Sequence, residues 1–188
     1  WCKFMSRLDE KAIIKIFQKY FARKYSDDVE FLKLKNSLYA IKVDSLVEST
    51  DIPPKMTIGE AARKSVVSPI SDFAAKGVKP LYGIISITIP KKFTRKKIVS
   101  IATAITKASK EFDFQILGGD TNEGKELSIQ VFLLGSAKKI VSRKGAKLGD
   151  IIFTTGPFGY TSAGLKILLK DKKGAKNFKS KAKKSFLL

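Results

Sequence analysis

The chain has 188 residues, 44% of them apolar, and its 37 Lys and Arg outnumber 17 Asp and Glu for a net charge of +20. That apolar content excludes disorder throughout, the length fits one domain of the usual ~100 to 200 residues plus at most a fragment, and no apolar run approaches the ~18 residues of a membrane span. With no histidine and a single cysteine, Cys2, imidazole-based triads, zinc sites and disulfide frameworks are excluded, which leaves carboxylates as metal ligands and Mg2+ or Mn2+ as the ions they suit.

Residues 1–4 precede Met5, where the natural start is expected. They are too short for a secretory signal, so the expected compartment is the cytoplasm. Over 8–25, Leu8, Ala12, Ile13, Ile16, Phe17, Tyr20 and Phe21 recur at helical spacing and predict an amphipathic helix packed on the body, capped by Ser6 or Asp9. Asp27-Asp28 then precede an alternating segment (29–34), a turn at Lys35-Asn36 and a second strand (38–43) that ends at Asp44. This is a hairpin whose end is flanked by both acidic sites. Taken alone, Asp27-Asp28 also read as an ordinary turn pair. Residues 45–56, with Pro53-Pro54, read as a loop holding Asp51. Thr57 caps a helix, and Glu60 completes a capping box. Pro69 predicts a kink or restart, giving a second piece over 70–76 stopped by Gly77. Ser71 and Asp72 would then occupy a first turn, where backbone N–H groups and the helix dipole favour a carboxylate or phosphate. Simple N-terminal capping is the competing role for Asp72.

An Ile-rich strand over 81–89 leads to a basic loop and helix start at 91–97. Ile98, Ile101, Ala102, Ile105, Ala108 and Phe112 follow at helical spacing. A strand over 114–117 runs into Gly118-Gly119-Asp120-Thr121, bringing bare backbone and one carboxylate to a sheet edge, where α/β folds bind phosphorylated ligands. After a turn at Glu123-Gly124 come a strand over 127–134, a polar loop over 141–150 with Arg143, Gly145 and Gly149, and a short strand over 151–155. This order predicts an α+β fold with a mainly antiparallel sheet and helices on one face. The helix begun at 156–169 needs a cover for its apolar face. Beyond Asp171 the chain is almost wholly Lys and stops on Phe186-Leu187-Leu188, which reads as truncation with a second domain missing.

The lysines spread along helix faces and connections without interleaved aromatics, so a solvated surface is favoured over a nucleic-acid or other polyanion-binding face. In so basic a chain the isolated acids stand out. Asp27, Asp28, Asp44, Asp72 and Asp120 are expected to converge and hold divalent metal against a nucleotide.

Several motifs occur together: Asp27-Asp28, the run from Val43 through Asp44 to Glu48, Ser71-Asp72-Phe73-Ala74-Ala75-Lys76-Gly77, Gly118-Gly119-Asp120-Thr121, the run from Arg143 to Asp150, and Thr155-Gly156 followed by Ser162-Ala163-Gly164-Leu165. In this combination the chain resembles the thiamine-monophosphate kinase family, of the aminoimidazole ribonucleotide synthetase superfamily, and its Ser49-Thr50-Asp51 and proline pair resemble the archaeal branch. The resemblance implies an amino-terminal ATP- and Mg2+-binding domain over 1–150 and the beginning of a carboxy-terminal domain over 151–188. It also implies transfer of the γ-phosphoryl of ATP to thiamine monophosphate. Asp28, Asp44, Asp72 and Asp120 match the family's magnesium ligands and are the implied catalytic residues. Gly118, Gly119, Asp120, Thr121 and Arg143 match its ATP contacts, and Asp51 falls where the family contacts substrate. A homodimer is implied too.

Two departures stand out. The family often has a hydroxyl residue just before Asp44, where this chain has Lys42-Val43. Nothing after Leu165 supplies the Asp-containing motif of the family's second domain. The alternatives are another ATP-using member of the superfamily, of the selenophosphate synthetase or hydrogenase-maturation type, and a non-catalytic polyanion-binding fragment.

Overall fold

The computed structural model describes residues 9–21, 27–154, 156–170 and 175–187; the expectations that fall on Cys2, Met5, Thr155 and Leu188 lie outside them. In chain order the elements are α1 (Glu10–Gln18), β1 (Glu30–Leu34), β2 (Ser37–Val47), α2 (Glu48–Asp51), α3 (Ile58–Ala75), β3 (Lys79–Pro90), α4 (Arg95–Glu111), β4 (Gln115–Gly124), β5 (Ser128–Ala137), α5 (Tyr160–Lys170) and α6 (Lys176–Leu187). The sheet runs β1-β2-β5-β3-β4, antiparallel throughout except between β3 and β4. This is the α+β architecture expected, with α3 and α4 covering one face.

The hairpin forms where the sequence placed it. Lys35 takes a positive φ of 51° at the turn, and the register pairs Leu34 with Ser37 and Glu30 with Ile41. β2, however, does not stop at Asp44. It continues to Val47 because β5 pairs with it all the way to Val47–Ser128, and the supposed loop beyond begins as the helical turn α2. Likewise β4 does not end at its glycines but runs through them to Gly124. It lies so close to β3 that a Cβ on Gly119 would overlap the Ile85 carbonyl oxygen.

The capping box at α3 is present: Thr57 Oγ accepts from the Glu60 N–H at 3.2 Å, and the Glu60 carboxylate accepts from the Thr57 N–H at 2.7 Å. Pro69 does not divide the helix. Ala62, Val66, Pro69, Ile70 and Phe73 form one buried stripe along a single 18-residue α3, so packing against the sheet outweighs the one helical N–H that proline lacks. The consequence is a correction for Asp72: it sits in the last turn of α3, where the dipole disfavours a carboxylate, and not in a first turn.

The core joins this stripe to Ile101, Ile105 and Ala108 of α4 and to Phe31, Ala40, Ile129, Val131 and Leu133 of the sheet. The Arg63 guanidinium reaches both Glu111 carboxylate oxygens, at 2.8 and 3.0 Å, and ties α3 to α4.

Two further expectations are corrected. Asp9 caps α1, but none of its residues is buried, and Ile13, Ile16, Phe17 and Phe21 are exposed; helical spacing fixes an apolar stripe without saying what covers it. Residues 151–154 are not a strand. Ile151, Ile152 and Phe153 are exposed and have no ladder partner among the described residues. The Lys-rich segment, in turn, is helical: Phe178, Ala182 and Phe186 recur every four residues in α6, which covers α5 so closely that a Cβ on Gly164 would strike the Ala182 carbonyl. Leu187 packs on Leu46, Met56 and Ala61. No helix among the described residues is long and apolar enough to cross a membrane.

Candidate active site

Two elements build the site: the helix-facing side of β2 and the last turn of α3. Along β2, Ala40, Lys42, Asp44 and Leu46 alternate toward the helices, opposite Gly135, Leu133, Val131 and Ile129 of β5. Asp72 lies in the last turn of α3, and Lys76, four residues on, is its C-cap. Lys42 Nζ lies 3.1 Å from Asp44 Oδ1 and 2.7 Å from Asp72 Oδ2. Beside it, Lys76 Nζ lies 2.6 Å from Asp27 Oδ1, with side-chain exposures of only 5% and 11%.

Asp27 also accepts the Asp28 N–H at 2.8 Å and the Arg143 N–H at 3.3 Å, and Arg143 Nη1 reaches Asp28 Oδ1 at 3.3 Å. The hairpin thus delivers Asp27 and Asp28 level with Asp44, and the 141–150 loop returns to them through Arg143. Asp27 is occupied with holding this corner together, whereas Asp28 is half-exposed at its rim.

Burial pushes the Asp44 carboxyl above its usual range even though Lys42 opposes the shift and the charges of Asp72 and Asp28 add to it. Burial acts against the Lys42 ammonium, yet its bonds to Asp72 and Asp44 hold it above its ordinary value. The asymmetry follows from stoichiometry: one ammonium has two carboxylates, and each carboxylate has a share of one ammonium. Burial also works against ionised Asp27, but Lys76 and the two backbone donors hold that carboxyl below the usual range. Bare carboxylates ~4 Å apart repel by roughly 4 kcal/mol at an effective dielectric near 20, so this corner requires cations.

Asp120 stands elsewhere. It pairs with Ser86, which pairs with Gln130, which pairs with Ser45, whereas Asp44 pairs with core residue Val131. The two acids therefore leave the sheet on opposite faces. They are also three strand spacings apart, about 14 Å. Asp120 is exposed and accepts from the Asn122 amide. Gly119 is accounted for by the approach of β4 to β3, Gly118 lies at the register shift with φ +154°, and Thr121 is level with Ile87. Asp51 accepts the Val47 N–H at 2.7 Å and borders a cleft of about 300 Å³ with Lys64, Leu165 and Phe186. Lys64 Nζ lies 3.8 Å over the Phe186 ring, and burial holds its amine below the ordinary lysine value.

Among the described residues, no group of three or more Asp, Glu, His or Cys is drawn tightly enough to hold a metal by itself. The donor set still fits Mg2+, which takes one or two carboxylates and completes its shell with water and phosphate oxygens. Asp44 and Asp72 already share one cation.

Sequence reading gave no role to Lys42 or Lys76. The first had a legible signal, a lysine on the core-facing side of an alternating strand. The second had none, because its partner Asp27 lies 49 positions earlier in the chain.

An α+β domain with a one-sided helical layer and a carboxylate-lined corner at the helix end is the class that this geometry defines. The family model for AIR synthase related protein, N-terminal domain, matches residues 26–137, and the chain belongs to that family. Over 181 residues it is 60% identical to a thiamine-monophosphate kinase of Nitrosopumilus maritimus (strain SCM1), a match covering 96% of this chain and 58% of the relative. It is 35% identical over 175 residues to a thiamine-monophosphate kinase of Pyrococcus abyssi (strain GE5 / Orsay), covering 93% and 56%. A solved structure of AaThiL complexed with AMPPCP and TMP superposes with a TM-score of 0.88 at 25% identity, covering 98% of this chain and 61% of that one. The chain spans a little over half the length of the curated relatives it matches.

Proposed function

We propose that the chain is the nucleotide- and metal-binding part of an enzyme that transfers the γ-phosphoryl of ATP to thiamine monophosphate, yielding thiamine diphosphate. The observation that carries this reading is 60% identity to a thiamine-monophosphate kinase along 96% of the chain. It is supported by the solved neighbour bound to an ATP analogue and TMP.

Phosphoryl transfer asks for positioning and charge neutralisation more than for covalent chemistry. Asp44 and Asp72 would hold Mg2+, with Asp28 at the rim, and the ion would offset charge on the nucleotide phosphates. Arg143, anchored through its own N–H to Asp27, presents its guanidinium beside Asp28, where it can meet a phosphate. The acceptor is itself a phosphate anion, so no general base is required. Asp51 keeps one carboxylate oxygen beyond its bond to Val47 and would meet thiamine monophosphate in the cleft that it borders with Lys64 and Phe186.

On this reading the chain acts as a homodimer in the cytoplasm. Val43, Tyr82 and Ile84 are exposed on the sheet face away from the helices. Asp28 stands at the β1 edge of the sheet and Asp120 on β4, the opposite edge strand. Two sheets stacked on that face about a two-fold parallel to the strands bring the β4 edge of one copy over the β1 edge of the other. Gly118, Gly119, Asp120 and Thr121 would then complete the partner's site. Residues 1–150 would form the ATP domain, and 151–188, whose α5 and α6 pack on each other, would open the second.

The test is formation of thiamine diphosphate from ATP, Mg2+ and thiamine monophosphate by a chimera that completes this chain with the carboxy-terminal part of the Nitrosopumilus relative. The chimera should turn over, and its Asp72→Asn variant should lose about two orders of magnitude or more in kcat, on the order of 3 kcal/mol of transition-state stabilisation. No product from a folded chimera would sink the proposal.

A further inference from the structure

Lys42 departs from its surroundings. It occupies the core-facing row of β2, its side chain is 17% exposed, and its ammonium touches two carboxylates at once. Those carboxylates, Asp44 and Asp72, are the pair to which the proposed function gives the metal, and this inference rests on that reading. A cation seated between two carboxylate oxygens, one from a strand and one from a helix, does what a bridging divalent ion does. Mg2+ binds at about 2.1 Å. The ammonium contacts at 2.7 and 3.1 Å engage the same two acids, and two cations do not share that space.

We propose that Lys42 is a tethered counter-ion. It occupies the bridging position between Asp44 and Asp72 while the divalent ion is away, and it is displaced when the ion arrives. Its flexible four-carbon stem permits the exchange. Residue 42 also borders a cleft of about 260 Å³ together with Asp28, which gives the displaced ammonium another carboxylate nearby. Two consequences follow. The metal-free protein keeps Asp44 and Asp72 paired and correctly placed, and the site binds metal less tightly than its carboxylates alone would, because the ion must compete with a resident charge. Lys42 is thus a positioning residue that sets metal affinity.

The test uses Mg2+ alone, with amine-directed covalent labelling of Lys42 read by mass spectrometry, and with melting temperatures of the wild-type chain and Lys42→Met. In wild type, Mg2+ should raise the melting temperature and increase Lys42 labelling several-fold. Lys42→Met should melt several degrees lower in EDTA, approach wild type at saturating Mg2+, and show a Mg2+ midpoint roughly fivefold lower. An equal deficit with and without Mg2+ would make Lys42 a plain core ion pair and overturn the proposal. A Mg2+-induced stabilisation that leaves Lys42 labelling unchanged would overturn it as well, and this readout stands on wild type even where the variant does not fold. If Mg2+ moves neither melting temperature nor labelling in wild type, the metal reading itself falls and takes this inference with it.

Discussion

Replacing Lys76 with Met tests how the corner is held. Its ammonium lies 2.6 Å from Asp27 Oδ1, and the two side chains are 5% and 11% exposed, so methionine preserves the stem while leaving a buried carboxylate without its counter-ion. Removing one partner of a buried pair typically costs ~3 to 5 kcal/mol. The Asp28 and Arg143 N–H groups still donate to Asp27, which favours the lower end, about 3 kcal/mol. At ~2 to 4 °C per kcal/mol for a chain of this size, the melting temperature should fall by roughly 6 to 12 °C. Urea denaturation followed by circular dichroism at neutral pH measures the cost directly, and the double variant Lys76→Met/Asp27→Asn should recover part of it.

The same pair predicts a pH dependence with a definite sign. Burial opposes ionised Asp27, but Lys76 and two backbone donors hold its folded pKa below the unfolded value near 3.9. Its contribution is therefore complete above the unfolded value and is lost as pH falls through the folded one. The deficit of Lys76→Met should be large at pH 7 and shrink at the acid end of that window. A deficit under about 1 kcal/mol at pH 7, or one equal at acid and neutral pH, would refute the reasoning.

Three further substitutions separate backbone from side-chain causes, and all are read by chemical denaturation. Gly119→Ala puts a Cβ into the Ile85 carbonyl and should destabilise by several kcal/mol or prevent folding, whereas Gly156→Ala, with open space around it, should change stability by less than about 0.5 kcal/mol. Thr57→Ala removes the hydroxyl that accepts the Glu60 N–H and should cost about 1 kcal/mol; no loss would mean that the capping box of α3 contributes nothing.

What the sequence made legible was local. The turn at Lys35-Asn36, the Thr57-Glu60 box, the stop at Gly77 and the α4 stripe are each written within a few residues, and each formed. The end of β2 was not legible because its partner Ser128 lies 81 positions after Val47. Pro69 read as a break because propensity weighs one residue, while the stripe from Ala62 to Phe73 weighs a whole face. Moving the helix start twelve residues upstream reversed the electrostatic meaning of Asp72, from dipole-favoured to dependent on Lys42. Asp120 shows the same limit in the sheet. Strand alternation gives two faces, and only the register from Ser45 through Gln130 and Ser86 tells which one Asp120 takes. The Asp27, Asp28 and Arg143 corner was gathered by resemblance. Lys76, which anchors it from inside, needed the coordinates.

If Asp44 and Asp72 hold a divalent ion, anomalous diffraction from crystals soaked with Mn2+ and AMPPCP should show a peak at direct coordination distance from both carboxylates, close to the ~2.1 Å of Mg2+, with the Lys42 ammonium moved out. A peak bound only by other residues, or none while Lys42 still bridges Asp44 and Asp72, would contradict that reading.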